Sequence, residues 1–271
     1  MSGSLIDDVG ARWLDLLVGC LTRELFLDEE AADVGRHEVP EAWLPELRAN
    51  GWRVVRRGGD AAARSEGRDW PPFAETMVGR TRLASVRRCA EEVVADGIPG
   101  DFAECGVWRG GVVTLLRAVL AAAGDQERLV WAADSFEGLP APDPGTPQDA
   151  GHDLSGVPIL AVGAEQVRAN LDRYGLLDDR TRFLVGWFAD TLPTAPIERL
   201  SLLRVDGDLY RSTMDVLVAL EPKVSPGGYV IVDDYGSWEP CRQAVDEYRA
   251  ANGITAPIEV VDWTGALWRK A

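Results

Sequence analysis

Histidine, cysteine and positive charge are all scarce in this chain of 271 residues, and each scarcity excludes something. The two histidines, His37 and His152, stand too far apart to make a metal site of the usual spacing by themselves. The four cysteines (Cys20, Cys89, Cys105, Cys241) include no C-x-x-C pair, so neither a zinc site nor a disulfide framework is indicated, and free, buried thiols are expected. Lys and Arg total 28 against 44 Asp and Glu, a formal net charge of −16. Such a chain offers no basic face to nucleic acid or to an anionic membrane surface. No apolar run approaches the roughly 20 residues of a membrane span. No basic segment followed by an apolar core opens the chain, because Asp7 and Asp8 arrive almost at once. A cytoplasmic protein with a small-molecule partner is the expectation. A hydrophobic fraction of 46% is enough for a proper core, and the length suits one large domain with an extension.

What is present is organised around two apolar runs that end in carboxylates. Leu202-Leu-Arg-Val is followed by Asp206-Gly-Asp208, and Gly227-Gly-Tyr-Val-Ile-Val by Asp233-Asp234. Between them, Ser212 to Leu220 has helical spacing, with Ser212 as the candidate N-cap. A strand–helix–strand unit puts its strands parallel in one sheet, so the four acids should converge at the carboxyl edge, where open α/β sheets bind ligands. Carboxylates pressed together repel unless a cation holds them ionised, and Mg²⁺ favours such oxygen ligands while keeping substrate oxygens or water. Asp206, at the strand end, is the better metal ligand. Asp208 reaches the site if Gly207 turns the backbone, and there it suits a general base.

Elsewhere the pattern predicts an amphipathic helix over Leu5 to Leu27, suited to packing or to contact with a second copy. A mobile loop follows over Arg56 to Gly67, then a helix over Ala74 to Ala95. From Asp101 the chain alternates. Strands are expected at Phe102–Cys105, Leu129–Ala133 and Arg182–Val185, and helices at Val112–Ala123, Ala164–Arg173 and Glu239–Ala251. Two short β runs close the chain, at Ile258–Val261 and Ala266–Trp268. The irregular stretch Asp143 to Gly163 reads either as a lid over an acceptor or as a plain loop. No internal repeat is evident.

Glu104-Cys-Gly106-Val-Trp-Arg-Gly110-Gly111 occupies the first strand–helix turn, where glycines let backbone approach a ligand, but it lacks the G-x-G-x-x-G spacing of dinucleotide binders. Asp134, ending the second strand, is placed to accept from ribose hydroxyls. Two acids so disposed fit a cationic nucleoside ligand such as S-adenosylmethionine. Together with Asp134-Ser-Phe-Glu-Gly-Leu-Pro140, Gly186-Trp-Phe-x-Asp-Thr-Leu-Pro193, Asp206-Gly-Asp-Leu-Tyr-x-Ser-Thr213 and Gly227-Gly-Tyr-Val-Ile-Val-Asp-Asp-Tyr235, this stretch closely resembles the macrocin O-methyltransferase family. Members are metal- and S-adenosylmethionine-dependent enzymes that methylate sugar hydroxyls on antibiotics. The resemblance runs from about Arg68 to the C-terminus, and Cys105 stands where relatives often carry a small hydroxylic residue.

The resemblance implies an α/β fold: a Rossmann-like class I methyltransferase sheet, mostly parallel with a C-terminal β-hairpin, over residues 98–271. Residues 1–97 would be a helical extension and a cap over cofactor and substrate. It implies Asp206, Asp233 and Asp234 on Mg²⁺, Asp208 as base, and Glu104, Gly106, Asp134 and Ser135 on S-adenosylmethionine. Trp187 or Phe188 would lie by the adenine with Asp190 close by, and Thr76 and Met77 in a segment that closes over the cofactor. Trp187 and Phe188 fit core packing equally well, and Thr76 and Met77 fit helix packing. A glycosylated small molecule is the expected acceptor, and a homo-oligomer the expected assembly. The rivals are a catechol-type metal-dependent methyltransferase acting on a phenol, a nicotinamide-dependent oxidoreductase, for which the glycine spacing and a catalytic Tyr/Lys or His are missing, and a degenerate binding module.

Overall fold

The computed structural model describes residues 5–29, 31–33, 39–52 and 54–271; His37 lies outside them. An antiparallel pair, β1 (Ala31–Asp33) and β2 (Val55–Arg57), and a short helix, α2 (Leu44–Asn50), precede the main sheet. Five parallel strands form the heart of that sheet: β3 (Asp101–Cys105), β4 (Val130–Asp134), β5 (Thr181–Val185), β6 (Leu200–Val205) and β7 (Val224–Val232). Two antiparallel strands, β8 (Glu259–Val260) and β9 (Ala266–Arg269), finish it as the expected hairpin, giving the order β5-β4-β3-β6-β7-β9-β8. The chain lays β4 and β5 on one side of β3, then returns to lay β6 on the other. The crevice beyond the carboxyl ends of β3 and β6 is therefore the switch point where such sheets bind ligands.

Side-chain alternation along the strands separates two cores. Phe102, Val130, Leu202 and Ile231 face one hydrophobic cluster, and Ala103, Ala133, Leu203, Val205 and Val232 face the other. The first cluster is covered by α1 (Asp8–Leu21), α4 (Arg80–Ala95), α5 (Gly111–Ala122) and α6 (Ala164–Arg173), and the second by α8 (Tyr210–Leu220) and α9 (Glu239–Ala251). The segment before residue 98 is thus a layer of the same core: Leu14, Leu17, Val18 and Leu21 of α1 are buried in the cluster that α5 completes. The opposite stripe of α1, with Val9 and Leu16, is exposed. The cysteines are free, three of them buried, and Cys105 belongs to the second cluster. No described helix is long and apolar enough to cross a membrane.

Four local expectations are corrected. The first helix stops at Leu21, where Thr22 turns its hydroxyl back onto Val18 O at 2.8 Å, and a short 3₁₀ segment (Glu24–Glu29) follows. The supposed mobile loop contains α3 (Ala61–Glu66), which Asp60 caps by accepting from the amides of Ala62 and Ala63 at 2.9 and 3.0 Å. The helix expected from Ala74 begins only at Arg80, because residues 74–79 run as an extended strap. α8 starts at Tyr210, and Ser212 is not its cap. Its first amides, of Tyr210 and Arg211, donate to the two oxygens of buried Asp149 at 2.6 and 3.1 Å. Asp149 comes from the irregular stretch after β4, which that contact and the Trp108 Nε1 bond to Ile159 O (2.7 Å) pin down over the carboxyl edge. His152 rests its ring against Trp238.

Candidate active site

The carboxyl edge is crowded at the switch point. Gly106 follows β3 with φ +93°, and a Cβ there would stand 1.8 Å from the carbonyl oxygen of Asp206, so only glycine lets the first turn and the β6 terminus meet. The same turn is held from β4: Asp134 Oδ2 accepts from Val107 N at 2.6 Å and from Trp108 N at 3.3 Å, and Asp134 Oδ1 from Phe136 N at 2.8 Å. Burial raises the Asp134 pKa, although these amides favour its charged form. Ser135 closes its own turn by donating to Gly138 O at 2.8 Å.

Beneath that turn lies an arginine. Glu104 on β3 and Arg204 on β6 are register partners on the same sheet face, and Asp206, two residues on, shares that face. Arg204 is 1% exposed; its Nη1 donates to Glu104 Oε1 at 2.7 Å and to Asp206 Oδ2 at 2.8 Å, and its Nη2 to Asp233 Oδ1 at 2.5 Å. The second oxygen of Asp233 is taken by Arg82 of α4, whose Nε also reaches Asp262 Oδ2 at 3.1 Å. Both oxygens of Asp233 thus face guanidinium groups. Oxygens of Asp206, Asp208 and Asp234, by contrast, all lie within 4.8 Å of one another. Asp208 reaches this group by its own backbone, at φ +53°, rather than through a turn at Gly207. Aspartate is among the side chains that tolerate that region.

Five carboxylates here share two guanidinium groups, and their protonation reflects it. Burial resists ionisation of Asp233, but Arg204 and Arg82 outweigh it and hold that group below the ordinary carboxylate range. Burial pushes Glu104 up to about 8, with Arg204 opposing and Asp206 and Asp233 adding to the rise. Burial, then Asp206 and Asp233, bring Asp208 to about 8 as well. Asp206 and Asp234 are also raised, again first by burial. Glu104 Oε2 and Asp234 Oδ2 are buried with no protein donor. Buried, mutually repelling oxygens without donors suit a hard cation at Asp234 and a ligand ammonium at Glu104.

Two chambers open from this edge and share Met77, Gly106, Trp108, Asp206 and Asp208 in their walls. The larger, about 340 Å³, runs past Asp134 and Ser135 to Trp187 and Phe188. The smaller, about 180 Å³, holds Thr76, Glu104, Asp233 and Asp234. Thr76 and Met77 lie in the strap and wall the chambers, and Thr76 also packs against Gly111 at the start of α5. Asp190, on α7 (Phe188–Thr191), is exposed and alone among the expected cofactor residues lines neither chamber, whereas Trp187, also exposed, lines the larger one.

The sequence model described as macrocin-O-methyltransferase (TylF) matches residues 10–270. The chain belongs to that family. Among its relatives, the 8-demethyl-8-(2,3-dimethoxy-alpha-L-rhamnosyl)-tetracenomycin-C 4'-O-methyltransferase of Streptomyces olivaceus is 55% identical over 216 residues, 78% of this chain and 81% of that protein. The demethyldecarbamoylnovobiocin O-methyltransferase of Streptomyces niveus is 51% identical over 211 residues, covering 76% and 80%. Among solved structures, the O-methyltransferase NovP superposes with a TM-score of 0.85 at 43% identity, covering 97% of this chain and 99% of that one. The calicheamicin methyltransferase CalS11, at 18% identity and a TM-score of 0.60, shares the fold. This family member is accordingly an O-methyltransferase with S-adenosylmethionine as its methyl donor, which sets aside the oxidoreductase and the inert binding module.

The raised carboxyl groups make stability depend on pH in a defined direction. Groups whose folded pKa lies above the unfolded value stabilise most below the ordinary carboxylate range, and that contribution is lost as pH rises through the folded pKa. With Glu104 and Asp208 each near 8, urea unfolding in chelating buffer is expected to show a falling midpoint from about pH 6 to about pH 8.5. Glu104→Gln should shallow the fall. A midpoint that rises over this interval contradicts the electrostatics described.

Proposed function

We propose that the enzyme transfers the methyl group of S-adenosylmethionine to a sugar hydroxyl of a glycosylated small molecule, with Mg²⁺ or a similar cation at the acidic cluster. The observation that carries the reading is the convergence of Asp206, Asp208 and Asp234 beside a chamber fit for the cofactor. The relatives' names support the acceptor class, since they include a methyltransferase of a rhamnosyl tetracenomycin and a mycinamicin III 3''-O-methyltransferase.

In this reading Glu104 receives the cofactor's ammonium through the oxygen that lacks a protein donor. Asp134 both orients the Gly106 turn and faces the ribose, while Ser135, Trp187 and Phe188 flank the nucleoside and Thr76 and Met77 close over it. A bound cation would neutralise Asp206 and Asp234 and lower the pKa of an acceptor hydroxyl, which is otherwise a poor nucleophile at neutral pH. Asp233 stays behind this pair, held by its two arginines, and so fixes the direction of the chain at Asp234. Asp208, the third member of the cluster, is placed to accept the hydroxyl proton. Fixing the attacking oxygen in line with the methyl group supplies much of the rate enhancement in any such transfer.

Turnover is expected to stop in excess EDTA and to return with Mg²⁺. Asp206→Asn and Asp234→Asn should be partly rescued by raising Mg²⁺, whereas Asp208→Asn should lose a factor on the order of 10²–10⁴ in kcat without rescue. Full activity in chelator sinks the cation, and rescue of Asp208→Asn by Mg²⁺ moves that residue from base to ligand.

A homo-oligomer built through the exposed stripe of α1 is the assembly proposed here, because that helix carries apolar side chains on its outer face as well as its buried one. Removing α1 would strip the core, so the informative variant is Val9→Glu with Leu16→Glu. Light scattering should show a smaller particle with an unchanged thermal midpoint; an unchanged mass rules this stripe out as the contact.

A further inference from the structure

The smaller chamber has a floor and walls of opposite chemistry. Its floor is the carboxylate cluster. Its walls also include Trp70, four residues before the strap, Trp263 in the β8–β9 turn and Leu154 from the stretch folded over the edge. The two indoles are 53% and 37% exposed although they wall a concavity. Trp263 is fixed in place: its Nε1 donates to Glu66 O at 2.8 Å, and the Arg68 and Arg82 guanidinium groups lie 4.2 and 5.8 Å from its ring centroid, which leaves Trp70 as the indole with no guanidinium over it among the described residues. Three separate segments of the chain thus bring apolar surface to the walls of an acidic pocket.

Few ligands match both halves. An inorganic or purely polar molecule would leave the indoles in water, and a flat phenol would satisfy the rings but meet the floor only with the one or two hydroxyls in its ring plane. A sugar ring is two-faced. Its axial C–H groups make an apolar face, and its hydroxyls project around the edge. Laid against an indole, such a ring buries apolar area at no cost to its hydroxyls, which remain free to meet a pre-placed polar floor.

We propose that Trp70 and Trp263 form the platform on which the acceptor's sugar ring is seated, with neighbouring hydroxyls directed down to Asp206, Asp208 and Asp234. The proposal rests on the sugar-methyltransferase reading above and adds which residues select the ring. Trp70 is the residue to test. It makes no anchoring contact of the kind that ties Trp263 to Glu66, so its removal threatens the fold least.

The probes are 4-nitrophenyl glycosides of 6-deoxyhexoses, the α-L-rhamnoside first, with catechol as the phenolic counterpart, all at saturating S-adenosylmethionine and Mg²⁺. Trp70→Ala is expected to raise the glycoside KM about ten-fold, while Trp70→Phe restores most of it. Affinity for S-adenosylmethionine should stay within about two-fold. The split matters because Trp70 leads into the strap that carries Met77. A merely structural role would weaken the cofactor along with the acceptor, and that result, or an unchanged glycoside KM, overturns the platform while leaving sugar methylation intact. Methylation of catechol with none of any glycoside would overturn the sugar reading itself.

Discussion

The ion pair between Arg204 and the acids around it is the constraint on which the rest of the site depends. One guanidinium, buried to 1% exposure between β3 and β7, touches Glu104, Asp206 and Asp233 at once. Each of those acids ends or nearly ends a different strand, so Arg204 ties together the three strand termini that surround the switch point. Burying such charges offsets most of their attraction with lost hydration, and apolar packing of the same volume would serve stability as well. What the arrangement does supply is direction. Both oxygens of Asp233 are held by guanidinium groups, and Asp234, its neighbour in the chain and in the wall of the smaller chamber, keeps an oxygen that has no protein donor.

Arg82 extends this arrangement to the N-terminal layer. It binds Asp233 and Asp262 from α4, and its Nη2 donates to Gly67 O at 3.4 Å. Gly67 and Gly79 cross so closely that a Cβ on either would come within 2.5 Å of the other's backbone nitrogen. Buried Arg64 of α3 adds a bond to Met77 O at 2.7 Å. The strap that walls both chambers is therefore registered to the same acids that end the central strands. The walls of both chambers and the geometry of the acidic cluster thus share one set of guanidinium contacts, which joins the helical layer before the sheet to the carboxyl edge.

Much of this was legible in the sequence because it is local. Apolar runs of strand length ending at Asp134, Asp206 and Asp233 give the parallel sheet and its loaded edge, and the shared face of Glu104 and Asp206 follows from alternation once the strands are parallel. The roles of Arg204 and Arg82 are not local. Arg204 sits inside an apolar strand, Leu202-Leu-Arg-Val, and that oddity was the available signal. Apart from Asp206, two residues on, its partners lie 100 and 29 residues away, and those of Arg82 lie 151 and 180 away, distances over which no periodicity speaks. The pairing of Asp233 was hidden for the same reason, since its two arginines lie far from it in the sequence. Asp149 was missed because a cap supplied from a distant loop leaves no trace beside the helix it caps, whereas α3 could have been read from Asp60 before three alanines and Gly67 after them.

In the proposed reading Asp206 and Asp234 hold the cation, Asp208 borders it as the base, and Arg82 and Arg204 keep Asp233 from it. Anomalous diffraction from crystals of the enzyme soaked in Mn²⁺ tests it directly. One peak is expected, within direct bonding distance of oxygens from Asp206 and Asp234, with Asp208 bordering it and Asp233 still bound to both arginines. A peak ligated by Asp233 in place of Asp234, or no peak at the carboxyl edge at a saturating Mn²⁺ concentration, would contradict it.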